Sequence, residues 1–442
     1  MRTRLTVLPV FLLAIALLAG CQATAEQGSG RSEPTTAYVN GHVWTGERFV
    51  DRPLFVRGEQ FVDAPAEADT TIDLAGGYVI PPFGDAHTHN LGAGGIAVRI
   101  AQNLYLPQGI FYVADLTNPY SEITDERSYF DPPMSVRAWF GRATTPDVAY
   151  TLGGLTATGS HPAPAMERLF GDDVDSTWSL AGDAYWFMDT VEDVETKWPD
   201  YIAQDPDLVK VYLMDVGGDL DMGDADAYRR DGCGFGLCPE TLRTIVERAH
   251  AAGKRVSAHA NTAADVRLAL DAGVDELAHL PLGNDGISVD ESAPYRLSDA
   301  TIDRIGAREM VVVPTALLLV EDVASLPADT LQAEIALQRE EIQQLHAAGA
   351  RIALSGHNWQ TSPRREAEYF RAHGFFDTRT LLNLWTTTTP QAIFPGRQIG
   401  RLDPGYEASF LVLGGNPMDD FSAVGVIRQR VKQGHSLGAP AS

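Results

Sequence analysis

The chain has 442 residues, of which 34 are Lys or Arg and 59 are Asp or Glu, giving a formal net charge of −25. A surface this acidic repels phosphate backbones and argues against nucleic acid as a partner. A hydrophobic content of 44% allows a large core, either one big domain with a satellite or two or three ordinary ones.

The first residues stand apart from the fold. Arg2 and Arg4 make a positive start, and Leu5 to Leu18 form an apolar stretch, interrupted by Thr6 and Pro9, that is too short for a stable membrane span. It ends in Leu18-Ala19-Gly20-Cys21, which resembles the bacterial lipobox, cut just before a cysteine that becomes diacylated. The expectation is a signal peptide over 1–21, a lipid on Cys21 and a polar flexible tether over 22–34. Gln22, rather than Asp, after the lipidated cysteine points to the outer membrane, facing the periplasm. The other reading is an ordinary cleaved signal with an incidental cysteine.

Residues 36–73 (AYVNGHVWTG, RPLFVRGEQFVDA) read as short strands with turns, without helical periodicity. Apolar runs then follow at 78–81, 110–114, 136–140, 208–213, 255–258, 276–280, 311–314 and 351–354, making eight candidate strands. Helical patterns alternate with them. Pro239 opens one that Gly253 closes, 262–272 is ended by Gly273, and 328–348 by Gly349. Residues 398–434 return to short strands. The pattern predicts an α/β fold: a (β/α)8 TIM-like barrel over 78–395, with its chemistry at the strands' C-terminal ends. The two flanks, 35–77 and 396–436, are each too short to bury a core and are expected to form one small β-sandwich together. Cys233 and Cys238 in DGCGFGLCPE suit a disulfide-closed loop in an oxidising compartment. A CxxxxC zinc half-site is the alternative, though the chain offers no second half-site.

His87 and His89, in PPFGDAHTHN, stand at i and i+2 at the end of a strand, where both rings point to one side and can chelate one metal. Lys210 lies inside the apolar strand DLVKVYL, where an ammonium is costly unless paired or chemically altered. It is either a salt-bridged core lysine or a lysine carbamylated by carbon dioxide that bridges two metals. His259 ends RVSAH and His279 ends ELAH, on consecutive strands. Together with the histidine pair and the buried lysine, they make a metal site the better explanation.

These segments, with AHAAGKRVSAHANTAADVRLALDAGVDELAHL and TTTTPQAIFPGRQIGRLDPGYEASFLVLGGNPMDDF, resemble the amidohydrolase superfamily in its imidazolonepropionase-like and prolidase-like branch, over nearly the whole mature chain. The resemblance implies that His87 and His89 hold a buried metal, that Lys210 bridges as a carbamate, and that His259 and His279 hold a more exposed metal. It further implies a hydroxide between the metals that attacks an amide, peptide or cyclic amide bond of a small molecule or short peptide. Two zinc ions are the default for such ligands, and Mn, Fe or Co also fit.

One departure stands out. AAGARIALSGHN matches the family's strand-8 segment without a gap, but His357 occupies the place of an aspartate that ligates the buried metal and takes the proton from water. A neutral imidazole binds metal, and its ordinary pKa of ~6.5 suits a general base, but it brings no negative charge. Two outcomes are open: hydrolysis with His357 as the catalytic base, or a catalytically impaired metal- or ligand-binding lipoprotein. Tyr212, on the same strand face as Lys210, is a second catalytic candidate and a donor to substrate. His161, in GGLTATGSHP, resembles a substrate-contacting loop histidine of related enzymes. Both also have purely structural readings, and a homo-oligomer remains open.

Overall fold

Short strands from the two ends of the chain meet in the computed structural model, which describes residues 33–438 except 93, 171–178, 221–227, 282–293, 318–326 and 358–360. Cys21 and the expected signal and tether up to residue 32 lie outside the described residues. Among the described residues, no helix is long and apolar enough to cross a membrane.

A four-stranded sheet has the order Gln60–Val62, Leu54–Arg57, Thr35–Val39, Thr70–Asp73. A six-stranded sheet has the order His435–Ser436, Ile427–Lys432, Phe410–Leu413, Tyr78–Ile80, His42–Trp44, Phe49–Asp51. Val43, Val56, Phe61, Val79, Phe410 and Val431, drawn from both sheets, pack into one buried apolar cluster.

Tyr78–Ile80 reads in sequence as the first barrel strand, but it pairs with Phe410–Leu413 and His42–Trp44 instead. The reason is local: Pro81 and Pro82 have no N–H to give and break the ladder. The parallel strands begin at Phe83.

Phe83–Thr88, Ile110–Asp115 and Asp147–Tyr150 form a parallel sheet in that order. A second parallel sheet runs Tyr185–Phe187, Gly154–Thr156, Val209–Leu213, Val256–Ala260, Glu276–Leu277, Val311–Val312, Arg351–Ile352. Ile110–Asp115 and Val209–Leu213 are buried throughout, as expected of strands covered on both faces. Backbone bonds join the two sheets at both edges of the three-stranded one. Asp207 N–H donates to Tyr150 O at 2.8 Å, and Ala86 N–H to Leu354 O at 2.9 Å. Helix Ala263–Ala272 starts on a reciprocal Thr262–Asp265 capping box and stops at Gly273, whose φ of 87° suits glycine.

The run 136–140 reads in sequence as a strand and is a helix, Val136–Phe140. Ser135 caps it by accepting from Ala138 N–H, and Val136, Trp139 and Phe140 are buried at helical spacing. The strand at this point in the order is Asp147–Tyr150, whose DVAY shows little apolar alternation.

At the start of that strand, Asp147 pairs with Lys432 Nζ at 2.6 Å and Arg397 Nη1 at 2.8 Å, and the Lys432 side chain is fully buried. Arg397 also pairs with Glu407, which accepts from Tyr112 OH at 3.0 Å. This network fastens the C-terminal segment to the parallel strands.

Cys233 and Cys238 are disulfide-bonded. Their loop lies against the end of Val209–Leu213, with Phe235 N–H donating to Met214 O at 2.8 Å and Leu237 N–H to Tyr212 O at 3.1 Å.

Candidate metal centre

The C-terminal ends of the parallel strands carry an arc of histidines. His87 and His89 close the first strand, and His357 follows the last and donates its backbone N–H to His87 O at 2.9 Å. The ligand atoms of His87, His89 and His357 all lie within 4.8 Å of one another. The His279 ring centre is 4.5 Å from that of His87 and 4.8 Å from that of His357. His259 lies 4.7 Å beyond His279, and His161 stacks on His259 at 5.3 Å.

Hydrogen bonds behind the rings fix which nitrogen faces inward. His87 Nδ1 is 2.8 Å from Ala278 O, and a carbonyl only accepts, so Nδ1 carries the proton. His89 Nδ1 makes the same kind of contact with Thr117 O at 3.4 Å. Thr315 Oγ1 gives its hydrogen to Pro314 O at 2.8 Å and therefore accepts from His279 Nδ1 at 3.0 Å. All three neutral rings thus turn an Nε2 lone pair inward, the arrangement that outer partners impose on metal-binding histidines.

The consequence is sharpest at the first pair. His87 Nε2 and His89 Nε2 are 3.3 Å apart, lone pair against lone pair. A shared proton is disfavoured, because burial holds His87 well below the ordinary histidine range and His89 down at about 3. Burial does the same to His259 and His279. A cation between the rings resolves the conflict, and the set fits a metal ion.

Beside this group lie two buried atoms that have no hydrogen-bond partner among the described residues, Lys210 Nζ and His259 Nδ1. His259 Nε2 is instead 2.5 Å from Asn261 Oδ1. Lys210 is 1% exposed, and burial lowers its pKa to about 7. Tyr212 is also buried. Its hydroxyl donates to Thr117 Oγ1 at 2.7 Å, and its ring lies 5.2 Å from His161 and 5.4 Å from His259. Gly154 is a glycine for this reason: a Cβ there would sit 2.5 Å from the Tyr212 ring.

Sequence reasoning misses the residues that hold these rings. Thr117, Asn261 and Thr315 receive no role from the sequence, nor does Asp85 beside the histidine pair, and Asp85 grips two amides, Gly356 N–H at 2.9 Å and His87 N–H at 3.3 Å. The available signal is backbone conformation. Thr117, Thr315 and His357 have φ of 63°, 50° and 47°, left-handed values that non-glycine residues adopt where the surroundings over-determine them, often at functional sites.

The sequence matches no protein-family model and no curated protein. By structure it shares the fold of a solved amidohydrolase, at 18% identity and TM-score 0.66, over 92% of this chain and 99% of that one. Two particular enzymes have the same fold. One is the ochratoxinase of A. niger, at TM-score 0.69 and 20% identity, covering 93% of this chain and 97% of the other. The second is a Xaa-Pro dipeptidase with methionine bound in its active site, at TM-score 0.68 and 16% identity, covering 91% and 99%.

Proposed function

We propose that the chain is a metal-dependent hydrolase of carbon–nitrogen bonds, acting on an amide, peptide or cyclic amide in a small molecule or short peptide. The observation that carries this reading is the pair of facing Nε2 lone pairs on His87 and His89, with His357 in reach of the same point. Amide and peptide hydrolases of the same fold, the ochratoxinase and the dipeptidase among them, support the reaction class. In this reading the parallel strands close into a (β/α)8 barrel, supported by the bonds Ala86 to Leu354 and Asp207 to Tyr150. The two flanking sheets form a β-sandwich from both chain ends, supported by their common buried cluster.

The site holds two divalent cations, zinc by default. His87, His89 and His357 hold one, and His259 and His279 hold the other. Lys210, carbamylated by carbon dioxide, would supply a carboxylate ligand, a role supported by an Nζ that has no hydrogen-bond partner among the described residues. Bound there, the cations supply Lewis acidity toward the scissile carbonyl and toward the attacking water. His357 serves as ligand and as proton acceptor, while Tyr212 and His161 flank the substrate's approach. Purified full-length protein is expected to carry zinc or another divalent metal and to hydrolyse members of an amide and dipeptide panel. A protein that holds no metal and gains no activity with added zinc or manganese would sink the proposal.

A second reading is a catalytically impaired metal-binding protein. It is favoured by the ligand group itself, three imidazoles without a carboxylate among the described residues. His357→Asp separates the two. The hydrolase reading expects turnover to fall by roughly tenfold or more, about 1.4 kcal/mol. A gain in turnover supports the impaired relative.

We also infer export, with a lipid on Cys21 and residence in the outer membrane facing the periplasm. The lipobox-like Leu18–Cys21 supports this, as does the Cys233–Cys238 disulfide, which persists in an oxidising compartment. Cys21→Ala is expected to move the protein from the membrane fraction to the soluble one, and a variant that stays with the membrane contradicts the anchor.

A further inference from the structure

Behind the histidines lies a buried acid that no step above uses. Glu366 stands on helix Pro363–Ala372 and is 0% exposed. Its Oε1 accepts from Ala316 N–H at 2.8 Å, and its Oε2 from Ser355 N–H at 2.8 Å. These amides belong to two different strand ends. Ala316 follows Thr315, whose hydroxyl holds His279 Nδ1. Ser355 comes two residues before His357, and Gly356 between them is gripped from the other side by Asp85. A Cβ on Gly356 would meet Asp85 Oδ2 at 3.0 Å, so the segment is confined on both sides. The two residues next to the gripped amides, Thr315 and His357, are the ones with left-handed backbones, at φ of 50° and 47°. Such conformations persist only where the surroundings enforce them.

We propose that Glu366 is a positioning residue for the metal centre: one carboxylate, one oxygen per strand end, locks Thr315 under His279 and aims His357 at His87 and His89. This rests on the reading that these histidines hold a cation. Both backbone N–H groups need an acceptor oxygen facing them. Glutamine presents an amide N–H to one of the two backbone N–H groups, donor against donor, and aspartate is one methylene too short to span both.

The test is zinc affinity by chelator competition, with thermal unfolding, on full-length wild type, E366Q, H357A and the E366Q/H357A double variant. E366Q is expected to stay folded and to bind zinc at least about tenfold more weakly, the usual loss when an outer partner of a metal ligand is removed. In the H357A background the same change is expected to weaken zinc binding by less than about threefold, because the part of the effect that runs through His357 is already gone. Unchanged affinity in E366Q overturns the proposal. So does an equal loss in both backgrounds, because none of the effect then runs through His357. If E366Q does not fold, E366D carries the same comparison, and failure of both to fold assigns Glu366 to stability alone. Wild type that takes up no zinc overturns the metal centre itself, and with it this role, whereas zinc-binding wild type with an indifferent E366Q overturns only the role.

Discussion

Lys210→Met is expected to lower turnover by about a thousandfold, roughly 4 kcal/mol of transition-state stabilisation, and to cut the bound metal from two ions to one. The lysine lies within a fully buried strand, with its Nζ unsatisfied among the described residues. The opposite charge acting on it, Glu276, is already paired with Arg255 at 2.8 Å. Methionine keeps the length and the apolar stem and removes an ammonium that is costly to bury. Metal-free K210M should therefore melt no lower than metal-free wild type, while activity collapses. A salt-bridged core lysine gives the reverse pattern, with lower stability and metal content intact. Metal analysis, melting curves and turnover on one preparation decide between them.

Protein stripped of metal should recover with zinc and carbon dioxide at a rate that falls about tenfold for each pH unit below about 7. Carbon dioxide adds to a neutral amine. An ordinary lysine, with a pKa near 10.4, is neutral in only about one molecule in a few thousand at pH 7. Burial lowers Lys210 to about 7, so about half of it is neutral there. Because the folded value is depressed, the reactive form is present above about 7 and is lost as the pH falls through that value. Burial also holds His87, His259 and His279 well below the ordinary histidine range. Recovery followed at fixed dissolved carbon dioxide from pH 8 to pH 5.5 is the measurement. A flat profile contradicts a carbamate on Lys210.

The histidines are legible in sequence because each stands at or just past the end of an apolar strand, where parallel α/β folds gather their chemistry, and Lys210 because it is a charge inside one. The residues that orient them are not. Glu366 reaches amides 50 and 11 residues away, and Asp85 reaches Gly356 across 271 residues, distances over which no local pattern survives. Two strands are misread for opposite reasons. VRAWF has β-favouring side chains, but Ser135 starts a helix in front of it. Tyr78–Ile80 is a strand, but Pro81 and Pro82 separate it from the parallel sheet. The expected disulfide partners are bonded to each other in the structure.

The six-stranded sheet has a consequence for the order in which the molecule is built. Trp44 donates its indole N–H to Asn383, 339 residues later, and Arg52 reaches Asp403, 351 residues later. Contacts this distant carry a large loop-closure cost and form slowly. A chain that emerges from the ribosome N-terminus first holds Tyr78–Ile80, paired with His42–Trp44 on one side, without its Phe410–Leu413 neighbour on the other until nearly all of it has been made. This early-begun sheet is therefore completed late, and until then the edge of Tyr78–Ile80 stays open to wrong pairing.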